Sequence, residues 1–254
     1  MKTLAVATNT FREARRDRVQ WILLFYAIIV IAGAWVLSPL ALGEAYRVTR
    51  DLGLAALSLV GVVLIALVGG GLVQKEIDRK TVFTILAKPI RRSEFLFGKF
   101  LGLMGMVTAV FCGMVVFLSL VLFLREGGVE PAVLVAAGFT YGELVILTAV
   151  VVTFSCFVSP ILSGVFTLAV FGLGHFSADL LRFAEQSTAP IVAPAARVIY
   201  MLLPHLDRFN LRAEAAYGVV PDPVATAAAL GYAVLYSASL LAVAVGILSR
   251  REFR

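Results

Sequence analysis

Long stretches without a charged residue constrain this chain more than any other feature of its sequence. Twenty-five uncharged, mostly apolar residues lie between Arg18 and Glu44, 23 lie at 52–74 and 25 at 100–124. About 20 apolar residues in a helix cross the hydrocarbon core of a bilayer. The 254 residues are 61% hydrophobic and only 15% charged, whereas an average soluble domain has roughly 25% charged residues. We therefore expect an all-α integral membrane protein.

These runs predict six membrane-spanning helices. Residues 132–178 carry one charge, Glu143, and are too long for one helix, so they are divided where Ser155, Ser159, Pro160 and Ser163 break the apolar run. The predicted spans are 19–43, 52–74, 100–124, 132–157, 161–181 and 224–249. Residues 44–51 and 125–131 form short connections. An even number of spans places both termini on the same side of the membrane.

The distribution of lysine and arginine predicts which side that is. Of the 22 Lys+Arg residues, five precede the first span, seven lie at 74–99 and three lie in the C-terminal tail. An excess of basic residues in short loops marks the cytoplasmic side. We therefore expect both termini and the 74–99 segment in the cytoplasm, and residues 182–223 outside. The same rule accounts for the net charge of +6 without nucleic acid as a partner.

Two further segments are expected to lie along the membrane rather than across it. In residues 1–18, apolar residues such as Leu4 and Phe11 share one helical face and arginines crowd the C-terminal half. This pattern is typical of an amphipathic helix on the inner surface of the membrane. Within the outer segment 182–223, the apolar stretch Ile191–Leu203 has 13 residues. It is too short to span, which favours a re-entrant or interfacial helix.

Three acidic or histidine residues fall inside the predicted spans. Glu143 lies near the middle of span four, where a carboxyl group is costly and usually faces the interior of the bundle or a wet cavity. It is either a pathway or proton-linked residue, or a hydrogen-bonded residue that holds helices together. Candidate partners on its own helix are Thr140, Tyr141 and Thr148. His175 and Asp179 are four residues apart in span five, so they could pair as a structural latch.

Familiar catalytic and nucleotide-binding motifs are absent from the sequence. A phosphate-binding loop would need Gly98-Lys99 to be followed by Ser or Thr, but Phe100 follows, and no glycine lies five positions before Gly98. Cys112 and Cys156 lie in apolar runs without a spacing typical of metal ligands. We therefore expect no catalytic residues, no cofactor and no metal in this chain. If ATP drives the protein, ATP and Mg²⁺ must be bound by another chain.

The basic 74–99 segment also carries apolar side chains. Pro89 disfavours helical backbone at the residue before it, so a short helix should stop there, and Ser93 is a candidate N-cap for the next helix. This elbow would expose Phe83 and Leu86 within a basic rim. Such a surface is typical of a docking site. The alternative is a solvated loop that only sets the membrane topology.

The pattern E-x4-T-x4-L-x2-P-x2-R-x5-G-K in this segment resembles the ABC-2 type permeases of ATP-binding-cassette transporters. The closest resemblance is to the multi-copper enzyme maturation group of permeases. The residues that carry the pattern are Glu76, Thr81, Leu86, Pro89, Arg92, Gly98 and Lys99. The wider resemblance covers nearly the whole chain as one transmembrane domain, 1–254. It implies that residues 75–98, with Phe83, form the coupling region that docks into a separate ATPase.

The resemblance further implies the assembly and the location of the protein. It predicts a transmembrane permease subunit, acting as an exporter, with two ATPase subunits and a second permease copy as a homodimer. The expected location is the inner, cytoplasmic membrane of a prokaryotic-type cell. Two other functions stay open from the residues alone. One is a stand-alone secondary transporter or channel that uses Glu143, and the other is an intramembrane scaffold or enzyme that uses Glu143 or His175.

Overall fold

The computed structural model of the chain describes residues 2–16, 19–37, 44–72, 91–177, 179, 182 and 192–250. Nearly all of these residues are helical, which confirms the all-α class. The α-helices are α1 (Lys2–Arg16), α2 (Val19–Leu37), α3 (Ala45–Gly69), α4 (Arg92–Glu126), α5 (Pro131–Ser155), α6 (Pro160–His175), α7 (Val192–Leu202), α8 (Arg212–Ala216) and α9 (Pro223–Arg250). A 3-10 turn, Leu206–Phe209, lies between α7 and α8, and we call it the outer turn.

Four described helices are long and apolar enough to cross a membrane. They are α3, α4, α5 and residues Pro223–Ser249 of α9. The apolar parts of α2 and α6 are shorter, Trp21–Val36 and Pro160–His175. The crossing of the membrane by α2 and α6 therefore stays a prediction, as does the interfacial position of α7.

The turns between α4 and α6 lie where the sequence predicted them. Gly127 ends α4 with a φ of 75°, a left-handed conformation that glycine adopts without strain. Between α5 and α6, the chain turns from Ser155 to Pro160, and the Ser163 hydroxyl donates a hydrogen bond to the Val151 carbonyl at 3.1 Å. This bond holds the two helices together beside the turn.

Two predicted boundaries are wrong. Residues 45–51 are the first turns of α3 rather than a connection, because Arg50 bonds to Glu126 at 2.5 Å and so keeps these turns ordered against α4. Ser93 is not an N-cap, since α4 already begins at Arg92. The Glu94 carboxylate accepts a hydrogen bond from the Arg91 backbone N–H at 3.0 Å and satisfies the helix start instead.

Helices α3 and α5 form the centre of the bundle. Helix α5 packs against α3, α4, α6, α8 and α9, and α3 also packs against α2, α4 and α6. Glycines allow the two central helices to approach closely, since a Cβ on Gly61 would lie 2.7 Å from a methyl group of Leu144. Gly61 therefore serves the close packing of α3 against α5.

Both described ends of the chain meet the first turns of α4. Helix α1 lies along this part of α4, and the Arg92 guanidinium donates hydrogen bonds to the Leu248 and Ser249 carbonyls near the end of α9, at 2.7 and 2.6 Å. In the sequence, residues 73–90 join the end of α3 to the start of α4. Arg50, Glu126 and Tyr217 lie at the opposite end, beside the α4–α5 turn. Which end faces the cytoplasm stays a prediction.

Candidate functional site

The predicted coupling residues fall partly outside the described part of the chain. Glu76, Thr81, Phe83, Leu86 and Pro89 all lie within 73–90 and are not described. Their docking role therefore stays a prediction. Arg92, Gly98 and Lys99 lie in the first turns of α4, which directly follow this segment in the sequence. Their contacts are therefore described.

Gly98 and Gly102 form the surface on which α1 lies. A Cβ added to Gly98 would come within 2.7 Å of the Val6 Cβ, and one on Gly102 within 2.6 Å of the Ala7 carbonyl oxygen. Thr10, between these contacts, is fully buried. This pair of small residues thus contacts the N-terminal helix, and the buried face of α1 includes Ala7 and Thr10 rather than Leu4, which is 71% exposed.

Arg92 and Lys99 are also engaged within the protein. The two carbonyls that Arg92 binds belong to the last turn of α9, where helical carbonyl groups lack partners in their own helix. Lys99 is buried, with its Nζ 5.8 Å from the centre of the Phe95 ring. The described motif residues therefore connect the start of α4 to the rest of the bundle.

Glu143 is the centre of a buried polar cluster. It is the middle residue of the 25-residue helix α5 and is 2% exposed. The Ser58 hydroxyl of α3 lies 3.2 and 3.3 Å from its two carboxyl oxygens. A carboxyl group at this depth is thus bound by a neighbouring helix, as expected for a polar group in a membrane-spanning bundle.

His175, the last residue of α6, completes this cluster. Its Nδ1 lies 3.1 Å from the Phe171 carbonyl oxygen, so this nitrogen carries a hydrogen and donates it. Its Nε2 faces Glu143 Oε1 at 3.8 Å. The predicted pair of His175 with Asp179 is wrong: Asp179 is 68% exposed and lies 3.7 Å from Arg182. Because α6 ends at His175, the helical spacing that would bring the two side chains together is not continued.

The predicted partners of Glu143 on its own helix are also wrong. Thr140 and Thr148 donate to the carbonyl oxygens four residues earlier, at 3.1 and 2.7 Å, as threonines in helices commonly do. The Tyr141 hydroxyl lies 2.7 Å from that of Thr108 on α4. The cluster therefore links α3, α5 and α6, and sequence reasoning missed Ser58.

The outer turn packs beside the cluster. Leu206 and Phe209 are 0% and 1% exposed. They pack against Gly174 and Gly142, where an added Cβ would come within 2.8 and 2.9 Å of their side chains. Gly142 and Gly174 directly precede Glu143 and His175 in the sequence.

Charged residues beside the outer turn influence the cluster electrostatically. Arg212 of α8 acts on both Glu143 and His175, and Asp207 acts on His175. The other histidine, His205, precedes the outer turn, and burial lowers its pKa, as does the Arg208 guanidinium, while Asp207 opposes them. Its Nδ1 lies 3.3 Å from the Tyr232 hydroxyl.

The geometry of the cluster does not match a nucleophilic triad. In such a triad the serine hydroxyl contacts the histidine, whereas the Ser58 hydroxyl contacts the Glu143 carboxyl group. No group of three His, Cys, Asp or Glu side chains suited to a metal ion occurs in the described residues. The arrangement can bind and exchange a proton, and it can hold three helices in register.

Comparison with known proteins identifies the family. The family described as "ABC-2 family transporter protein" matches residues 11–177, from α1 to the residues just after α6. This range includes the whole 73–90 segment, Ser58, Glu143 and His175. No curated protein matches the chain. Because the match spans 167 of the 254 residues, the chain belongs to the ABC-2 family of transporter proteins.

Proposed function

We propose that this chain is the transmembrane permease subunit of an ABC-2 exporter and that a separate ATPase subunit drives it. The observation that carries the proposal is the family match through the basic segment between α3 and α4. ABC-2 permeases work with a partner ATPase in general. We further propose that the chain itself hydrolyses no nucleotide and that ATP and Mg²⁺ bind to the partner.

The first turns of α4 are well placed to transmit force from a docked ATPase. Helix α4 has 35 residues and is about 52 Å long at 1.5 Å per residue, so it extends beyond a hydrocarbon core of about 30 Å. Its first turns contact α1 through Gly98 and Gly102 and α9 through Arg92. A push on residues 75–98 would therefore move α1, α4 and α9 together.

The rest of the proposed assembly follows from the family resemblance. We propose two permease copies and two ATPases, with the substrate path between the copies, near α2, α3 and α6. In this proposal α2 and α6 also cross the membrane, which gives six spans, and residues 182–223 lie outside. The start of α4, which follows the basic segment in sequence, shares one end of the bundle with α1 and the end of α9, which supports cytoplasmic termini. The proposed location is the inner membrane of a prokaryotic-type cell, and the multi-copper enzyme maturation group is the proposed subgroup.

Co-purification of the ATPase tests the proposal. A tagged chain is purified from the membranes of its own cell, and the proteins bound to it are identified by mass spectrometry. The wild type should retain an ABC ATPase. The double variant Phe83→Asp and Leu86→Asp should lose it, because two charges replace the apolar centre of the proposed docking surface, while the chain still inserts into the membrane.

A matched double variant controls for the added charge. Val219 and Val220 are 54% and 53% exposed and lie at the opposite end of the bundle, next to Tyr217. Val219→Asp with Val220→Asp should therefore retain the ATPase. Retention by both double variants would refute docking at residues 75–98, and a wild-type chain that binds no ATPase would refute the proposed function.

A further inference from the structure

The Glu143–His175 pair is electrically neutral when it holds one exchangeable proton. The hydrogen on His175 Nδ1 is committed to the Phe171 carbonyl oxygen at 3.1 Å. One further proton lies either on His175 Nε2, beside an ionised Glu143, or on the Glu143 carboxyl group, beside a neutral imidazole. The two atoms concerned, Nε2 and Oε1, are 3.8 Å apart. Both arrangements suit a buried site, since neither leaves a net charge there.

Gain or loss of a proton would leave the pair with an uncompensated charge. Around it, Ser58 of α3 contributes an uncharged hydroxyl, and the charged groups that act on the pair are Arg212 and Asp207. A second proton makes the pair cationic and repels the Arg212 guanidinium. Loss of the shared proton makes the pair anionic. Either state gains from contact with water.

The outer turn packs on the residues next to this pair. Leu206 and Phe209 are fully buried against Gly174 and Gly142, one residue before each member of the pair. A charged pair beneath two apolar side chains is unfavourable as long as the turn stays closed. Displacement of the turn would hydrate the pair and remove this cost.

We propose that Glu143 and His175 form a proton-binding site that controls the outer turn. With one proton the pair is neutral and the turn is closed. At acidic pH a second proton binds to the pair, and the turn opens toward the outer compartment. This site adds a response to protons that the family assignment does not include, and it needs no ATPase. Its failure would therefore leave the proposed function untouched.

Hydrogen–deuterium exchange of residues 203–217 tests the proposal in the full chain, reconstituted in lipid nanodiscs. Variants are compared at the same pH, so the pH dependence of the exchange chemistry cancels. At acidic pH the wild type should exchange faster than His175→Gln, by about fivefold or more, the low end of typical coupling between two linked sites. At neutral pH the two should exchange alike. His175→Phe, which keeps a ring and removes both nitrogens, should behave as His175→Gln does.

The second histidine provides the matched control. His205 also lies beside the outer turn, and the chain has only these two histidines. His205→Gln should keep the acid response of the wild type. Glu143→Gln should keep the acid response as well, because the His175 imidazole is still present in this variant and still binds a proton. Loss of the response in His205→Gln, or equal exchange of wild type and His175→Gln at acidic pH, would overturn the proposal.

Infrared spectroscopy checks the location of the shared proton. In His175→Gln the imidazole is gone, so Glu143 must hold the proton to stay neutral. A carboxylic-acid carbonyl band should therefore be present at neutral pH and should vanish in the double variant with Glu143→Gln. The absence of this band from His175→Gln would contradict the assignment.

Discussion

At the scale of single residues, Glu143 has the largest structural consequence. Lipid gives no hydrophobic driving force between helices, so packing and polar contacts hold them together. Glu143 contacts Ser58 of α3 and His175 of α6 at the same time. It therefore fixes the register of three helices, in addition to its proposed role in proton binding.

Substitution of Glu143 should separate these contacts from simple packing. Glu143→Ala removes the acceptor of the Ser58 hydroxyl and the group facing His175, and should lower the free energy of unfolding by about 1–3 kcal/mol. Glu143→Gln keeps an acceptor and a donor and should cost less. Thermal unfolding in detergent measures both. Glu214→Ala, at an exposed carboxylate, is the control, and equal melting of all three variants would contradict this account.

The sequence predicted the depth of Glu143 but not its partners. Depth follows from counting residues along one apolar helix, and Glu143 lies at the middle of α5. The direction of the side chain around the helix axis depends on packing with α3. The residue of α3 that Glu143 contacts, Ser58, precedes it by 85 residues in the sequence. Thr140 and Thr148 were plausible partners by spacing, yet their hydroxyls bond within their own helix.

At the scale of helices, the contact between α1 and α4 is the feature closest to the proposed coupling region. It depends on the absence of side chains at Gly98 and Gly102. The sequence predicted α1 as an amphipathic surface helix. It could not identify Gly98 and Gly102 as the surface that α1 contacts, because small residues do not specify which helix they contact.

A single methyl group should weaken this contact. In Gly102→Ala the new Cβ would lie 2.5 Å from the Thr10 Cβ and 2.6 Å from the Ala7 carbonyl oxygen, so α1 must shift, at a cost of about 1–3 kcal/mol. Trypsin should then cleave faster at Arg12. Gly138→Ala enters open space on α5 and should leave cleavage unchanged. Equal cleavage rates would show that α1 does not depend on Gly102.

At the opposite end of the bundle, Arg50 and Glu126 connect α3 to α4. Their side chains are 13% and 11% exposed and lie 2.5 Å apart. A double-mutant cycle to alanine should give a coupling energy of about 0.5–3 kcal/mol. The exposed pair of Arg47 and Glu44, within the start of α3, should give less than about 1 kcal/mol. A weaker coupling for Arg50–Glu126 than for this control would contradict its role.

At the scale of the whole molecule, composition predicted the helical membrane class and the order of the helices. Helix α6 ends at His175, so residues 176–181 of the predicted span five lie beyond it, and the outer turn packs beside its last turn. Hydropathy records only whether a residue is apolar, so it cannot separate the end of a helix from an apolar segment that folds back. The family was recognisable because the 74–99 motif and the flanking spans occur together.

The central claim is that energy from ATP enters this chain through a separate subunit. The most direct test measures the rate of ATP hydrolysis in proteoliposomes. Three preparations are compared, which contain the chain alone, the co-purified ATPase alone, or both. The account predicts that the chain alone hydrolyses no ATP and that it changes the hydrolysis rate of the ATPase, an effect lost with Phe83→Asp and Leu86→Asp. ATP hydrolysis by the chain alone, or an ATPase rate that is the same with and without the chain, would contradict it.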